Sequence, residues 1–111
     1  MEIKAEAKYI RISPRKVRLV TRGLQGMKAI EALELLKFVQ KKPAKPVAKV
    51  IASAVANAVK NKGLSQNDLF IKSIQVGEGS RYKRRDKSKM ARRFGIIQKR
   101  TSHIKVILEK R

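Results

Sequence analysis

The sequence predicts an α+β fold: a small three-stranded antiparallel sheet packed with three helices, plus a long protruding basic β-hairpin. Three observations carry this prediction. Apolar and polar residues alternate with period two at the start of the chain and again near its end, and three stretches with helical spacing lie between them. A strongly basic run over residues 80–100 then separates the last two strand-like segments. With 111 residues and 42% hydrophobic content, one core is within reach, so residues 1–111 are expected to form a single domain with 80–100 as an arm within it.

The first strand is read from residues 2–11, where Ile3, Ala5, Ala7 and Tyr9 fall on one face and Glu2, Lys4, Glu6 and Lys8 on the other. Ser13-Pro14 follows as a helix start, a capping hydroxyl ahead of a proline whose missing N–H costs nothing in the first turn. The helix is expected to run from Pro14 to about Gln25 and to close at Gly26, with Val17, Val20 and Leu24 inward and Arg15, Arg18 and Arg22 together on the opposite side. Leu19 falls near that basic side. The G-x-x-G spacing of Gly23 and Gly26 reads as a helix cap.

A second helix is expected from Lys28 to about Val39, with Ile30, Leu33 and Leu36 apolar and Glu31 and Glu34 outward, broken by the Lys-Lys-Pro at 41–43. The third runs from about Ala44 to Lys62, capped by Gly63, with Val47, Ile51, Ala54, Val55 and Ala58 on one face. Its alanines at 48, 52, 54, 56 and 58 allow close approach, which marks it as the central helix. Strands are expected over Asp68–Val76 and His103–Glu109, the latter with Ile104, Val106 and Leu108 on one face.

Charge dominates the chemistry. Lys and Arg number 29 against 8 Asp and Glu, a net +21, and a small body carrying that excess repels itself unless a polyanion screens it. Nucleic acid is the first partner implied. No membrane partner is expected, because no apolar run approaches the ~18 residues of a spanning helix and the bulky apolar residues are needed for the core. The opening MEIKAEAKYI has neither the pattern of a signal peptide nor that of a transit segment, so the chain is expected to begin with its fold. Without cysteine and with one histidine, a disulfide framework, a thiol nucleophile and a Cys/His zinc site are excluded. His103 reads as a hydrogen-bonding residue, Glu31 and Glu34 as a solvated helix face, and no cofactor or metal is expected. Two Tyr, three Phe and no Trp leave little for base-stacking platforms.

Residues 80–100 hold ten Lys or Arg and one Asp, a composition from which no core can be built. It fits a disordered basic loop. It equally fits a β-ribbon arm, since the flanking strands can pair antiparallel and continue outward, and ten residues per leg would project ~33 Å. Even pairing outward from Val76 and Ile104 would put Met90 farthest from the body, while Gly95 and the 86–88 stretch carry better turn chemistry. Between residues 7 and 30 lie seven more basic residues and no acid, which sets Arg15, Arg18 and Arg22 apart from an ordinary solvated face.

AKYIRISPRKVRLV at 7–20, LKFVQKKPAKPVAKVIASAVANA at 36–58 and KRTSHIKVIL at 99–108 together resemble the universal large-subunit ribosomal protein twenty-two family, at bacterial-type length and over nearly the whole chain. The resemblance implies a cytoplasmic, non-enzymatic structural constituent of the large ribosomal subunit. It implies binding to large-subunit ribosomal RNA, a role in assembly, neighbouring large-subunit ribosomal proteins as partners, and a hairpin that lines the peptide exit tunnel beside the nascent peptide. Transferred onto this sequence, RNA contact falls to Arg11, Ser13, Arg15, Lys16, Arg18 and Arg22 around the first helix. On the arm and its return strand it falls to Arg81, Lys83, Arg84, Arg85, Lys87, Arg92, Arg93, Lys99, Arg100, Thr101, Ser102 and His103. The tunnel-lining tip corresponds to Lys89, Met90, Ala91 and Arg92. Here the chain departs from the family, which usually has a proline and a glycine just before an arginine. This segment has no proline, Arg92 stands where the glycine is expected, and Gly95 is the one glycine near the tip.

Two other classes compete on charge alone. A DNA-compacting architectural protein would need an apolar wedge at its arm tip, for which only Met90 or Phe94 could serve. An RNA-processing enzyme would need clustered acids, paired histidines or a phosphate-cradling glycine loop, and the sequence has none of these.

Overall fold

The computed structural model describes residues 2–86 and 95–111. β1 (Glu2–Ile10) begins as its alternation dictates, with Ile3 and Ala5 buried and Glu2, Lys4 and Glu6 exposed. The alternation then breaks. Between the pairs Ala7↔Ile104 and Ile10↔Ser102 the strand carries an extra residue, and Tyr9 there takes a φ of 58°. Such a bulge re-aims the side chains that follow it, so Tyr9 leaves the buried face on which simple alternation places it and is 56% exposed.

α1 (Pro14–Thr21) starts at the expected proline, and Ser13 is extended at the cap, although its hydroxyl makes no capping hydrogen bond. The helix stops four residues short of Gln25. Thr21 Oγ1 donates to the Arg18 carbonyl at 3.3 Å, and Gly23 takes a φ of 135°, a backbone conformation open to glycine and strained for other residues. Val17 is fully buried, and Leu24 reaches the core from the loop instead of the helix. The loop then runs along the sheet: Gly26 N–H donates to Ile71 O at 2.7 Å, Ile71 N–H to Met27 O at 2.8 Å, and Lys28 bridges to Phe70. Residues 26–28 thereby occupy backbone groups that an edge strand would otherwise expose.

α2 (Ala29–Lys37) is shorter at both ends than the expected 28–39 and buries Ala29, Ala32 and Leu36. Ile30 and Leu33 are only partly covered. α3 (Ala44–Lys62) has the expected bounds and ends at Gly63, left-handed at φ 65°, with Leu64 N–H donating back to Ala58 O at 3.2 Å. Val47, Ile51, Ala54 and Ala58 are fully buried. A single 3-10 turn (Gln66–Asp68) leads into β2 (Leu69–Asp86), and β3 (Gly95–Lys110) completes a sheet of order β1-β3-β2, antiparallel throughout.

β3 is central and supplies Ile104, Val106 and Leu108, all fully buried, to the face covered by the helices. Beyond Val76↔Ile104 the β2–β3 ladder continues through Arg81↔Arg100 to Asp86↔Gly95, so both strands run well past the expected 68–76 and 103–109. The β2–β3 register shifts between Ile71 and Ser73 and again between Glu78 and Arg81, the latter offsetting the outer pairs by one residue relative to those from Ser73 to Glu78. The molecule measures 60 × 25 × 18 Å with a radius of gyration of 16.9 Å, against about 13 Å for a compact chain of ~100 residues.

Candidate nucleic-acid interface

Local sequence explains how α1 presents its charge. Val17 and Thr21, one turn apart, are buried, which turns Arg15, Lys16, Arg18, Leu19 and Arg22 outward. Arg11 is exposed in the turn before the helix, and Ser13 is half-buried. The basic face adjoins the sheet where β2 leaves the body, because Arg18 Nη2 donates to the Val76 carbonyl at 2.9 Å. Arg18 thus ties α1 to the root of the ladder while its neighbours on the helix stay open. Leu19, 53% exposed, is an apolar residue among cations.

The return strand carries two buried polar residues where it enters the body. Thr101 and Ser102 are 1% and 0% exposed. Ser102 Oγ donates to the Ile12 carbonyl, which pins the turn carrying Arg11 and Ser13 to the central strand. Both side chains are turned inward. His103 is half-buried; its Nδ1 accepts the Tyr9 N–H at 3.1 Å, and the two rings meet edge to face with centroids 4.8 Å apart. Opposite them, a Cβ on Gly79 would collide with Thr101 Oγ1 and come within 3.1 Å of His103 Cε1. Tyr9, Ile12 and Gly79 were not marked by the sequence pattern, although a lone glycine inside a strand does signal a bulge or a close approach.

Arg81, Lys83, Arg84 and Arg85 lie on β2 and Lys99 and Arg100 on β3, paired as Arg81↔Arg100, Tyr82↔Lys99 and Lys83↔Gln98. Lys87, Lys89, Met90, Ala91, Arg92 and Arg93, including the expected tip, lie outside the described residues. At the far end of the sheet Lys72 Nζ bonds Glu2 Oε2 at 3.1 Å, and this hydrogen bond and its charge hold the Glu2 carboxyl below the usual carboxylate range. Arg111 pairs with Glu109 at 2.8 Å. These carboxylates therefore sit away from the α1 face. Among the described residues no group of three or more His, Cys, Asp or Glu is placed to hold a metal ion, and no helix is long and apolar enough to cross a membrane.

Comparison with known proteins agrees with this geometry. Residues 5–109 match the family described as ribosomal protein L22p/L17e. Among similar curated proteins, the large ribosomal subunit protein uL22 of Pelotomaculum thermopropionicum is 48% identical over 111 residues, covering 97% of this chain and 95% of that one. Its counterpart in Thermus thermophilus is 48% identical over 108 residues with the same coverage. That of Syntrophus aciditrophicus is 45% identical over the full length of both chains. With the match spanning both the α1 block and the 99–108 strand, the chain belongs to the ribosomal protein L22p/L17e family.

Proposed function

We propose that this chain is a non-catalytic structural constituent of the large subunit of the cytoplasmic ribosome, binding large-subunit ribosomal RNA and supporting its assembly among neighbouring ribosomal proteins. In this reading residues 80–100 form a hairpin arm that reaches inward and lines the exit tunnel, with Lys89, Met90, Ala91 and Arg92 beside the nascent peptide. The observation that carries it is the register of the outer ladder: none of the pairs from Arg81↔Arg100 to Asp86↔Gly95 joins opposite charges. Arg81 stands opposite Arg100, a like-charge pair that destabilises a sheet, and the other outer cations have no acid across from them, so such a ladder is suited to phosphates rather than to water.

Arg11, Arg15, Lys16, Arg18 and Arg22 form the second contact surface, with Ser13 at the helix start. Arginine forks bridge phosphates that would otherwise repel one another, and folded RNA is recognised largely by its shape and backbone. The arm side, from Arg81 through Arg100, neutralises the RNA it threads. Sedimentation of the tagged protein in a cell lysate tests the reading: it should co-migrate with large subunits. Migration with DNA or as a free protein would refute it. A photo-crosslinker at residue 90 should capture a stalled nascent chain while one at Lys4 should not; capture from 84 or 97 alone would relocate the apex.

A further inference from the structure

A groove of 530 Å³ lies between the end of β1, the turn after it and the first half of α3, beside the turn that leads into α1. Its volume is within the ~300–1,000 Å³ range of small-molecule sites. The floor is apolar, formed by Ala7, Ile10, Ile12, Pro46 and Val50, and the rim carries Lys42, Lys45 and Lys49. All three lysines are exposed. Lys45 and Lys49 stand one turn apart on the same side of α3, and can therefore engage successive phosphates on either side of one residue of a strand. We propose that this groove takes a single unstacked nucleotide of single-stranded or bulged RNA, its base on the apolar floor and its flanking phosphates on the lysines.

Two further rim residues, Glu6 and Ser53, separate this occupant from its rivals. A carboxylate is of no use to a bare polyanion or an acidic peptide, both of which it repels. It does accept a hydrogen bond from an exocyclic amine or a 2′-hydroxyl, and Ser53 can donate or accept. The groove is also continuous with the α1 surface, since Ile12 in its floor immediately precedes Ser13 and its carbonyl is the one held by Ser102. An RNA strand leaving α1 over that turn would meet the groove next. The inference rests on the RNA-binding reading above and adds to it a site that selects unpaired over paired RNA.

Methyl NMR of the full chain tests it with four probes: octauridylate, a fully paired RNA hairpin, inorganic polyphosphate and polyglutamate. The expected result is saturable shifts of the Ile10, Ile12 and Val50 methyls with octauridylate alone. Lys42→Gln, Lys45→Gln and Lys49→Gln together should lower octauridylate affinity tenfold or more and reduce its salt slope by about 1.4, at ~0.7 for each of the two flanking phosphates on a single strand. Ser53→Trp, which fills the groove and keeps its charge, should abolish the methyl shifts while hairpin affinity stays within twofold. Equal shifts from the hairpin or polyphosphate would overturn the proposal in favour of charge alone, and shifts from polyglutamate alone in favour of a protein partner. Binding of a large-subunit RNA fragment is measured alongside. If the wild-type chain binds the fragment and the groove methyls stay silent with octauridylate, the groove is refuted and the RNA-binding reading stands; failure to bind the fragment at all refutes both.

Discussion

Gly79 lies where the β2–β3 ladder leaves the body, and replacing it with alanine isolates the packing at that root. The added Cβ meets Thr101 Oγ1 at a separation no real pair tolerates and crowds His103 Cε1 and Nε2 at 3.1 and 3.3 Å. Thr101 is 1% exposed, so its side chain or the strand must shift within a packed surrounding. Overpacking of this kind costs about 1–3 kcal/mol. For a chain of this size ~1 kcal/mol corresponds to roughly 4 °C, which predicts a drop in Tm of about 4–12 °C. Thermal unfolding followed by circular dichroism, in salt high enough to screen the net +21, measures it. The sharper test is a double-mutant cycle. Thr101→Ala removes the colliding oxygen, so Gly79→Ala should cost less in that background than in the wild type, a coupling of about 0.5 kcal/mol or more. Strictly additive losses, or a Gly79→Ala protein as stable as the wild type, would refute the view that Gly79 is required by the contact with Thr101.

The other predictions concern separate parts of the molecule. Arg15→Gln, Lys16→Gln and Arg22→Gln together should weaken binding to a large-subunit RNA fragment and lower its salt slope, by up to ~0.9 per lost duplex phosphate contact, without lowering the Tm; unfolding with RNA affinity intact would reverse the assignment of the helix faces. Replacing residues 80–100 with Asn-Gly, a turn that matches strand twist, should leave a cooperatively unfolding protein, and loss of secondary structure would make the segment part of the folding unit. Ile51→Ala, at a fully buried site on α3, should cost about 2–5 kcal/mol in denaturant unfolding. The Glu2 carboxyl is held below its ordinary pKa by Lys72, so the stability it contributes is present above the unfolded-state pKa and is lost as pH falls through the lower folded-state value. Glu2→Gln should flatten that small acid-side loss, and an unchanged acid limb would show that the pair contributes nothing.

Legibility in the sequence followed the physical origin of each feature. α3 was readable to its end residues because two independent signals agreed there, a long apolar stripe and a glycine that only a left-handed cap requires. α1 was overextended because its apolar spacing continues to Leu24, which is buried as expected but from a loop; what ends the helix is the backbone at Gly23 together with the Thr21 side-chain bond. Tyr9 continues the period-two pattern on paper. Its left-handed φ depends on register against β3, which a linear pattern does not carry. The charge of α1 was legible in full, and so was its outward orientation, whereas the Arg18 bond to Val76 O links residues 58 apart in sequence. Thr101 and Ser102 show the same limit at the site itself: both are polar in a basic segment, and only the turn at Ile12 explains why one is turned inward to hold it.

The contacts at the ladder root bear on how a body this small can direct a charged extension. Four interactions from three directions converge within a few residues of one another: Arg18 on Val76 O, Ser102 on Ile12 O, Tyr9 N–H on His103, and Thr101 packed over Gly79. Two of the four involve a backbone carbonyl as acceptor and one a backbone N–H as donor, so they fix strand positions and not merely side chains. The bulges at Tyr9 and Gly79 fall at this same level of the sheet, in β1 and β2 respectively, where they increase local twist. Apart from the exposed Arg18 guanidinium, the root is held by hydrogen bonds and packing rather than by ion pairs, which salt screens little, while the charges beyond it interact with phosphate over a range that salt does limit. The two functions should separate experimentally. High salt should weaken RNA binding and leave the Tyr9–His103 and Gly79–Thr101 packing intact by NMR; loss of both together would show that the root owes its geometry to the RNA instead of to the body.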